Sequence, residues 1–508
     1  MTELSERLAT HGRGVLEQLR RTVPRMPVAA TTTRLGRVVE AGDGVATIVG
    51  LSQPAADALL DIEGVPARAE MVAEEETRAV LLGSVARVQA GARVRQTGRI
   101  LDVPAGIELV GRVVDPLGDP LDRRGPVRSR RRVAIDGEIT PLSEREPVHR
   151  PLRTGVFVLD TMIPVGRGQR QLVVGDRSTG KTELCLDILA GLEREVIGVY
   201  VAIGRRGADT AAAIGWLEER QFFTRGFAVV ANADQPVGLV QLAPYAAMAM
   251  AEELTNQGRD VVVVFDDLTA HAHAHRTLAL LLGRPVGREA YPVDVFYAHA
   301  QLLERAAQLG RRRGGGSLTA LPIIETQAGD LTAYIPTNLV SITDGQIRLD
   351  AALVARSQLP AVDVGLSVSR VGSKAQPPWI RRLAGPLRHR YAQFLELEMF
   401  SRFGARVEAH AQQVLAWGQR VRAVLGQGRG ATFDWADTTV ALQVLADSRI
   451  SSVPLESFRT FVESVGQILA ETQRPVWERL SLASELRAED AEAVTKAIGD
   501  ALERGSGS

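Results

Sequence analysis

Gly175-Asp-Arg-Ser-Thr-Gly-Lys-Thr182 is the stretch on which the reading of this chain turns. It fits the pattern G-x-x-x-x-G-K-[ST], follows the apolar run Gln171 to Val174 and opens a helical pattern from Glu183 to Leu192. Strand, glycine-bearing loop and helix in that order turn successive backbone N–H groups and the positive end of a helix dipole onto a phosphate. Gly175 and Gly180 permit the backbone angles and the close approach, and Asp176, Arg177, Ser178 and Thr179 form the arch between them. Lys181 is expected to reach the terminal phosphates and the Thr182 hydroxyl to ligate Mg²⁺. ATP or ADP with Mg²⁺ is therefore the expected cofactor.

Lysine usage supports this reading. Lys181, Lys374 and Lys496 are the only lysines, against 57 arginines. A planar guanidinium is bulkier than an ammonium point charge and ill suited to the crook of such a loop. The chain keeps lysine where that geometry demands it.

Further along, Val261-Val-Val-Val-Phe-Asp-Asp267 reads as a buried strand ending in carboxylates, where a second Mg²⁺-orienting group belongs. Asp266 is the expected residue, because it directly follows the apolar run. Between these motifs, Val196-Ile-Gly-Val-Tyr-Val and Phe227-Ala-Val-Val alternate with helical patterns, as in a parallel α/β sheet.

Outward from this core the texture changes twice. Short runs such as Gly36-Arg-Val-Val and Val45-Ala-Thr-Ile-Val, separated by turns such as Gly42-Asp-Gly, predict a β-barrel over residues 35–96. The α/β nucleotide-binding unit is expected over residues 97–376, and a helical bundle over 377–508, with helical stretches at 405–425, 440–446, 455–470 and 488–502. Residues 1–34 carry Leu4, Leu8, Leu16, Leu19 and Val23, which suits either an amphipathic helix docking on a partner or a frayed end. The expected fold class is thus multidomain: N-terminal β-barrel, central α/β RecA-like domain built on the phosphate loop, and C-terminal helical bundle.

A chain of 508 residues is long enough for such a division. Basic and acidic residues each total 60, so no net field draws it to nucleic acid or to an anionic membrane. With only 5% aromatic residues, an RNA-tracking hexamer resembling the transcription terminator Rho is disfavoured. No window approaches the roughly 18 uncharged apolar residues of a membrane span. Cys185, the single cysteine, has no disulfide partner within the chain and reads as a small apolar residue on a helix.

Longer motifs bring a resemblance. Gly111-Arg-Val-Val-Asp115, Pro164-Val-Gly-Arg-Gly-Gln-Arg170, Gly287-Arg-Glu-Ala-Tyr-Pro292, Gly314-Gly-Gly-Ser-Leu-Thr-Ala-Leu-Pro322, Glu325-Thr-Gln-Ala-Gly-Asp330, Ser341-Ile-Thr-Asp-Gly-Gln-Ile347 and Val364-Gly-Leu-Ser-Val-Ser-Arg-Val-Gly-Ser373 stand around the phosphate loop. From about Leu35 through the helical end, the chain resembles the alpha subunit of F-type ATP synthases. That resemblance implies a non-catalytic, nucleotide-binding subunit alternating with three beta subunits around a central-stalk gamma subunit, with peripheral-stalk subunits attached. It also implies ATP synthesis or hydrolysis coupled to H⁺ or Na⁺ transport, on the cytoplasmic face of a bacterial plasma membrane to which the chain is held only through other subunits.

The resemblance carries over to particular residues. Arg370, in the frame Ser367-Val-Ser-Arg-Val-Gly-Ser373, matches the arginine finger that alpha lends to beta. Gln427 and Pro360 match the walls of the alpha adenine pocket, with Arg429 where a second glutamine is usual. After the strand Val199-Tyr-Val-Ala-Ile-Gly204, beta subunits place the glutamate that activates water and alpha subunits commonly glutamine; this chain has Arg205. An arginine accepts no proton at neutral pH, so its own nucleotide is expected to turn over very slowly. Phe400-Ser-Arg-Phe-Gly404 resembles the stalk-facing turn and continues into Ala405-Arg406 where an acidic residue is common.

Two other readings stay in view. An autonomous hexameric ATPase of an export apparatus has a similar domain order, but needs an acidic base near position 205. His271, His273 and His275 invite a metal reading, since His271 and His275 lie on one helical face, yet solvated or interface histidines are the expectation there.

Overall fold

The computed structural model describes residues 35–51, 54–73, 75–401, 409–482 and 486–505. The expected helix within residues 1–34 lies outside the described residues, as do residues 402–408 of the stalk-facing turn.

Six strands close into a barrel: β1 (Gly36–Gly42), β2 (Val45–Val49), β3 (Ala58–Ile62), β4 (Val65–Val72), β5 (Glu76–Leu81) and β6 (Arg93–Ile100), in the order β1-β2-β5-β4-β3-β6. Asp43 and Gly44, at φ 51° and 96°, make the tight link from β1 to β2, a conformation that Asp and Gly tolerate. Alternate residues such as Ile48, Leu60, Ile62 and Val94 fill the interior. The closing strand β6 continues to Ile100, past the boundary expected at residue 96.

The central sheet has ten strands. Eight of them, β7 (Val113–Val114), β8 (Leu172–Asp176), β9 (Val196–Arg205), β10 (Gly226–Asn232), β11 (Asp260–Asp266), β12 (Ser317–Thr326), β13 (Gly345–Arg348) and β14 (Val368–Ser369), lie in the order β14-β13-β8-β12-β11-β9-β10-β7. All these neighbours are parallel except β13 and β14. The strands read as continuous apolar runs because both faces are covered. Val173, Tyr200, Ala202, Val262 and Val264 project into one core, and Leu172, Val174, Val199, Val201 and Val263 into the other. Helix α1 (Lys181–Gly191) packs on the first face, and α2 (Val237–Asn256) and α3 (Leu268–Leu281) on the second.

The first core runs without a break into the C-terminal helices α4 (Pro378–Ser401), α5 (Ala409–Leu425), α6 (Trp435–Ala446), α7 (Phe458–Thr472), α8 (Arg474–Ser481) and α9 (Ala488–Gly505). Two indoles tie it together: Trp379 donates to Thr439 Oγ1 at 3.2 Å and Trp417 to the Leu445 carbonyl at 3.0 Å. Helix α6 begins at Trp435, five residues before the expected Val440. Asp434 and Asp437 cap each other's backbone N–H groups there in a capping box.

Candidate nucleotide-binding site

The loop after β8 is held from several sides. A Cβ on Gly175 would stand 2.8 Å from Thr179 Oγ1 and 2.9 Å from the Leu349 carbonyl, so only glycine fits beside β13. Ser178 and Gly180 have φ of 61° and 91°, and the helix starts at Lys181, two residues before the expected Glu183. Arg177 and Ser178 are exposed, and Thr179 is buried with its hydroxyl donating to the Asp176 carbonyl at 2.8 Å. Lys181 donates to that same carbonyl at 2.5 Å, crossing the mouth of the loop. The Asp176 carboxylate receives Thr326 Oγ1 at 2.7 Å and Gly329 N at 2.8 Å. Burial works to raise its pKa, and these donors with Lys181 outweigh it and lower it.

Opposite the loop stands Asp266, last residue of β11 and 1% exposed. One of its oxygens, Oδ2, accepts from Thr182 Oγ1 at 3.0 Å and from the Tyr200 hydroxyl at 3.0 Å. Its neighbour Asp267 instead caps α3, accepting from Ala270 N at 2.8 Å. Burial pushes the Asp267 pKa up to about 6.

Arg205 occupies the space between loop and carboxylate. Its Nη1 donates to Thr182 Oγ1 at 2.6 Å and forms an ion pair with Asp266 Oδ2. Burial works against its charge, but the Asp266 carboxylate more than offsets this and raises its pKa. The direction of the side chain follows from a bulge: the pairing of β9 with β10 shifts between Ile203 and Arg205, with Gly204 at φ 62° and closely covered by Ala270. The Thr182 and Asp266 oxygens expected to hold Mg²⁺ are thus already shared by a cation of the chain itself. As arranged, these residues do not fit the metal.

A cavity of about 370 Å³ opens beside the loop. Ser178, Thr179 and Gly180 form its floor, Leu359 and Pro360 one wall, Gln427 and Arg429 another. The structure therefore gathers Pro360, Gln427 and Arg429 with the phosphate loop. Both donor hydrogens of Gln427 are consumed internally, by Gly155 O at 2.7 Å and Ala431 O at 2.5 Å, while Oε1 accepts from Phe157 N at 3.0 Å. Gln427 shapes the wall and has no amide donor left for a base. Arg429 lies over the Trp216 ring at 5.0 Å, as Arg220 does at 3.9 Å. Cavities of about 380 and 570 Å³ among the C-terminal helices contain no phosphate-binding loop.

Arg370 stands apart from all of this. It is exposed, follows β14, and is fixed by its N–H on the Asp344 carbonyl at 2.9 Å and by Nη1 on the Thr343 carbonyl at 3.2 Å. Among the described residues it has no carboxylate partner. Strand β14 runs antiparallel to β13, so Arg370 emerges beside the start of β8 while the phosphate loop leaves its end.

Of the three histidines on α3, His273 is exposed as expected and His271 departs from expectation. His271 is fully buried, neither solvated nor at a surface, with Nδ1 3.1 Å from His299 Nε2. His275 Nε2 lies 3.0 Å from Asp294 Oδ1. Among the described residues, no group of three or more His, Cys, Asp or Glu could hold a metal ion. Cys185 is buried within α1, as expected. Tyr200, Asp187 and Trp216 also join the site, although each reads locally as an ordinary strand or helix residue.

A parallel sheet with a phosphate loop at its centre, an aspartate at the end of the strand next but one, a barrel before it and helices after it have the layout of a P-loop nucleotide-binding subunit. Residues 155–369 match the nucleotide-binding domain of the ATP synthase alpha/beta family, and residues 376–501 match the C-terminal domain of its alpha/beta chain. The chain belongs to the ATP synthase alpha subunits. It is 50% identical over 438 residues to ATP synthase subunit alpha 1 of Paraburkholderia xenovorans, covering 86% of this chain and 85% of that one. It is 46% identical over 474 residues to ATP synthase subunit alpha 2 of Polaromonas naphthalenivorans, covering 93% and 91%. With ATP synthase subunit alpha of Caldanaerobacter subterraneus it shares 42% identity over 469 residues, or 92% and 93% of the two chains. No helix among the described residues is long and apolar enough to cross a membrane.

Proposed function

We propose that this chain is the non-catalytic alpha subunit in the soluble sector of a rotary ATP synthase, binding ATP or ADP without hydrolysing it and lending Arg370 to a neighbouring beta subunit. The observation that carries this reading is Arg205 at the end of β9, paired to Asp266. A guanidinium there can hold charge but cannot take a proton from water. The phosphates are held by the backbone of Gly175, Asp176, Arg177, Ser178, Thr179 and Gly180, with Lys181 and Thr182 behind them, and the base lies between Pro360, Gln427 and Arg429. Mg²⁺ is left out of this reading, because Arg205 sits on the oxygens that would ligate it.

Arg370 supports the same conclusion from the far edge of the sheet. Arg370 bonds to Asp344 and Asp344 to Arg170, which stands five residues before Gly175, so about 16 Å of strand rise separates Arg370 from its own phosphate loop and it cannot serve that loop. A fixed backbone and an exposed guanidinium suit a charge presented to another protomer, where it would stabilise the charge developing on a transferred phosphoryl group. The partners are then beta subunits in an alternating ring, the gamma subunit of the central stalk and peripheral-stalk subunits. The location is peripheral, at the cytoplasmic face of a bacterial plasma membrane, and the coupled ion is H⁺ or Na⁺.

The test is a ring reconstituted with Arg370→Ala. Hydrolysis should fall by about 10³-fold or more, with nucleotide binding to this chain unchanged. Normal turnover would remove Arg370 from the mechanism.

A further inference from the structure

We propose that Arg205 is a built-in replacement for the divalent cation, so that the site of this chain takes nucleoside di- or triphosphates free of metal. The inference rests on the nucleotide-binding reading above and specifies the form of the ligand.

The geometry is that of a cation site already filled. Thr182 Oγ1 and Asp266 Oδ2 lie 3.0 Å apart, and the same nitrogen of Arg205 reaches both. A Mg²⁺ ion demands near-octahedral oxygen ligands at about 2.0 to 2.1 Å and cannot share those two atoms with a guanidinium. Moving the arginine aside would strip a carboxylate that is 1% exposed of its ion-pair partner and place two cations side by side.

Arg205 also has capacity left for a ligand. Its Nε is buried and meets no hydrogen-bond partner among the described residues, while the side chain keeps 22% of its surface. A guanidinium carries five donors in a fork that matches phosphate oxygens, and Nη1 alone accounts for both contacts named above. Lys181 supplies a second positive charge from across the loop. Two side-chain cations and the loop N–H groups then face the phosphates in place of one lysine and a metal. The arrangement is anchored by the strand itself, because the bulge at Gly204 sets where Arg205 points.

Calorimetric titration of the full chain with ATP, in excess EDTA and again in excess Mg²⁺, tests this. The expected dissociation constants agree within about threefold. The Arg205→Gln variant should weaken by about tenfold or more in EDTA and recover in Mg²⁺, and Arg205→Lys, which keeps a cation, should depend on Mg²⁺ less than the glutamine variant does. With Mn²⁺ as probe, electron spin resonance should show no immobilised ion on the ATP-loaded wild-type chain. Tight binding that is lost by tenfold or more on chelation, or one Mn²⁺ held per bound ATP, would overturn this inference and leave the nucleotide-binding reading standing. Absence of ATP binding in both buffers would overturn both. The wild-type comparison stands whether or not either variant folds.

Discussion

The Arg205 guanidinium is the only basic group paired with the Asp266 carboxylate among the described residues, and that carboxylate is 1% exposed. Removing one member of a buried ion pair strands the other, which is costlier than never having built the pair. Arg205→Ala should therefore destabilise the nucleotide-free chain by about 3 kcal/mol in EDTA. Thr182 and Tyr200 still face Asp266 in that variant, so Mg²⁺ should restore part of the loss. Urea melts with and without Mg²⁺ measure both effects, and an unchanged midpoint would show that the pair contributes little.

Lys181 is 8% exposed and its ammonium fits against the Asp176 carbonyl. Lys181→Arg keeps the charge but not the compact shape. Nucleotide affinity should drop about 100-fold, or about 2.7 kcal/mol, in a fluorescence titration. Retained affinity would mean that charge alone is what the loop requires.

Arg370 depends on Gly372 for its position. A Cβ at Gly372 would lie 1.7 Å from the Pro164 carbonyl oxygen, and backbone cannot yield as a flexible side chain can. Gly372→Ala should cost about 2 kcal/mol of stability and displace the segment that carries Arg370. A displacement near 1 Å should lower turnover of the assembled ring by about 10²-fold while this chain still binds nucleotide. Steady-state hydrolysis beside a binding assay separates the two.

Asp187 lines the cavity beside the loop, where burial pushes its pKa up to about 6 although the Gly430 amide donates to it. The folded chain holds that proton more tightly than the unfolded chain. Its contribution is therefore fully present below the ordinary carboxylate value of 3.8 and is lost as pH rises through about 6. Relative to Asp187→Asn, the wild type should lose about 1 kcal/mol between about pH 4 and pH 7, a figure reduced for partial exposure. Thermal melts of both across that range provide the check; parallel curves would contradict it.

How far the sequence reveals this site depends on the range over which each feature is encoded. Gly175 to Thr182 is legible because loop, preceding strand and following helix are contiguous, and Asp266 because an apolar strand delivers it. The pairing of Arg205 with Asp266 spans 61 residues and follows from the strand order and a bulge at Gly204, neither of which has a local signature. The spent amide of Gln427 depends on Gly155 and Phe157, in a distant part of the chain. His271 is buried because the helices Val295–Glu304 and Val237–Asn256 bring His299 and Tyr245 against it. The early start of α6 is readable in principle, since Asp434 and Asp437 have capping-box spacing with aspartate in the place where glutamate is usual.

Arg205 leaves this chain able to grip nucleotide but without a proton acceptor for cleaving it. Single-turnover hydrolysis by the purified full chain, with ATP bound and no other subunit present, puts that to the sharpest trial. The predicted rate is on the order of 10⁻³ s⁻¹ or slower, with ATP still bound at the end of the assay. Turnover near about 1 s⁻¹, in the range of working enzymes, would contradict it.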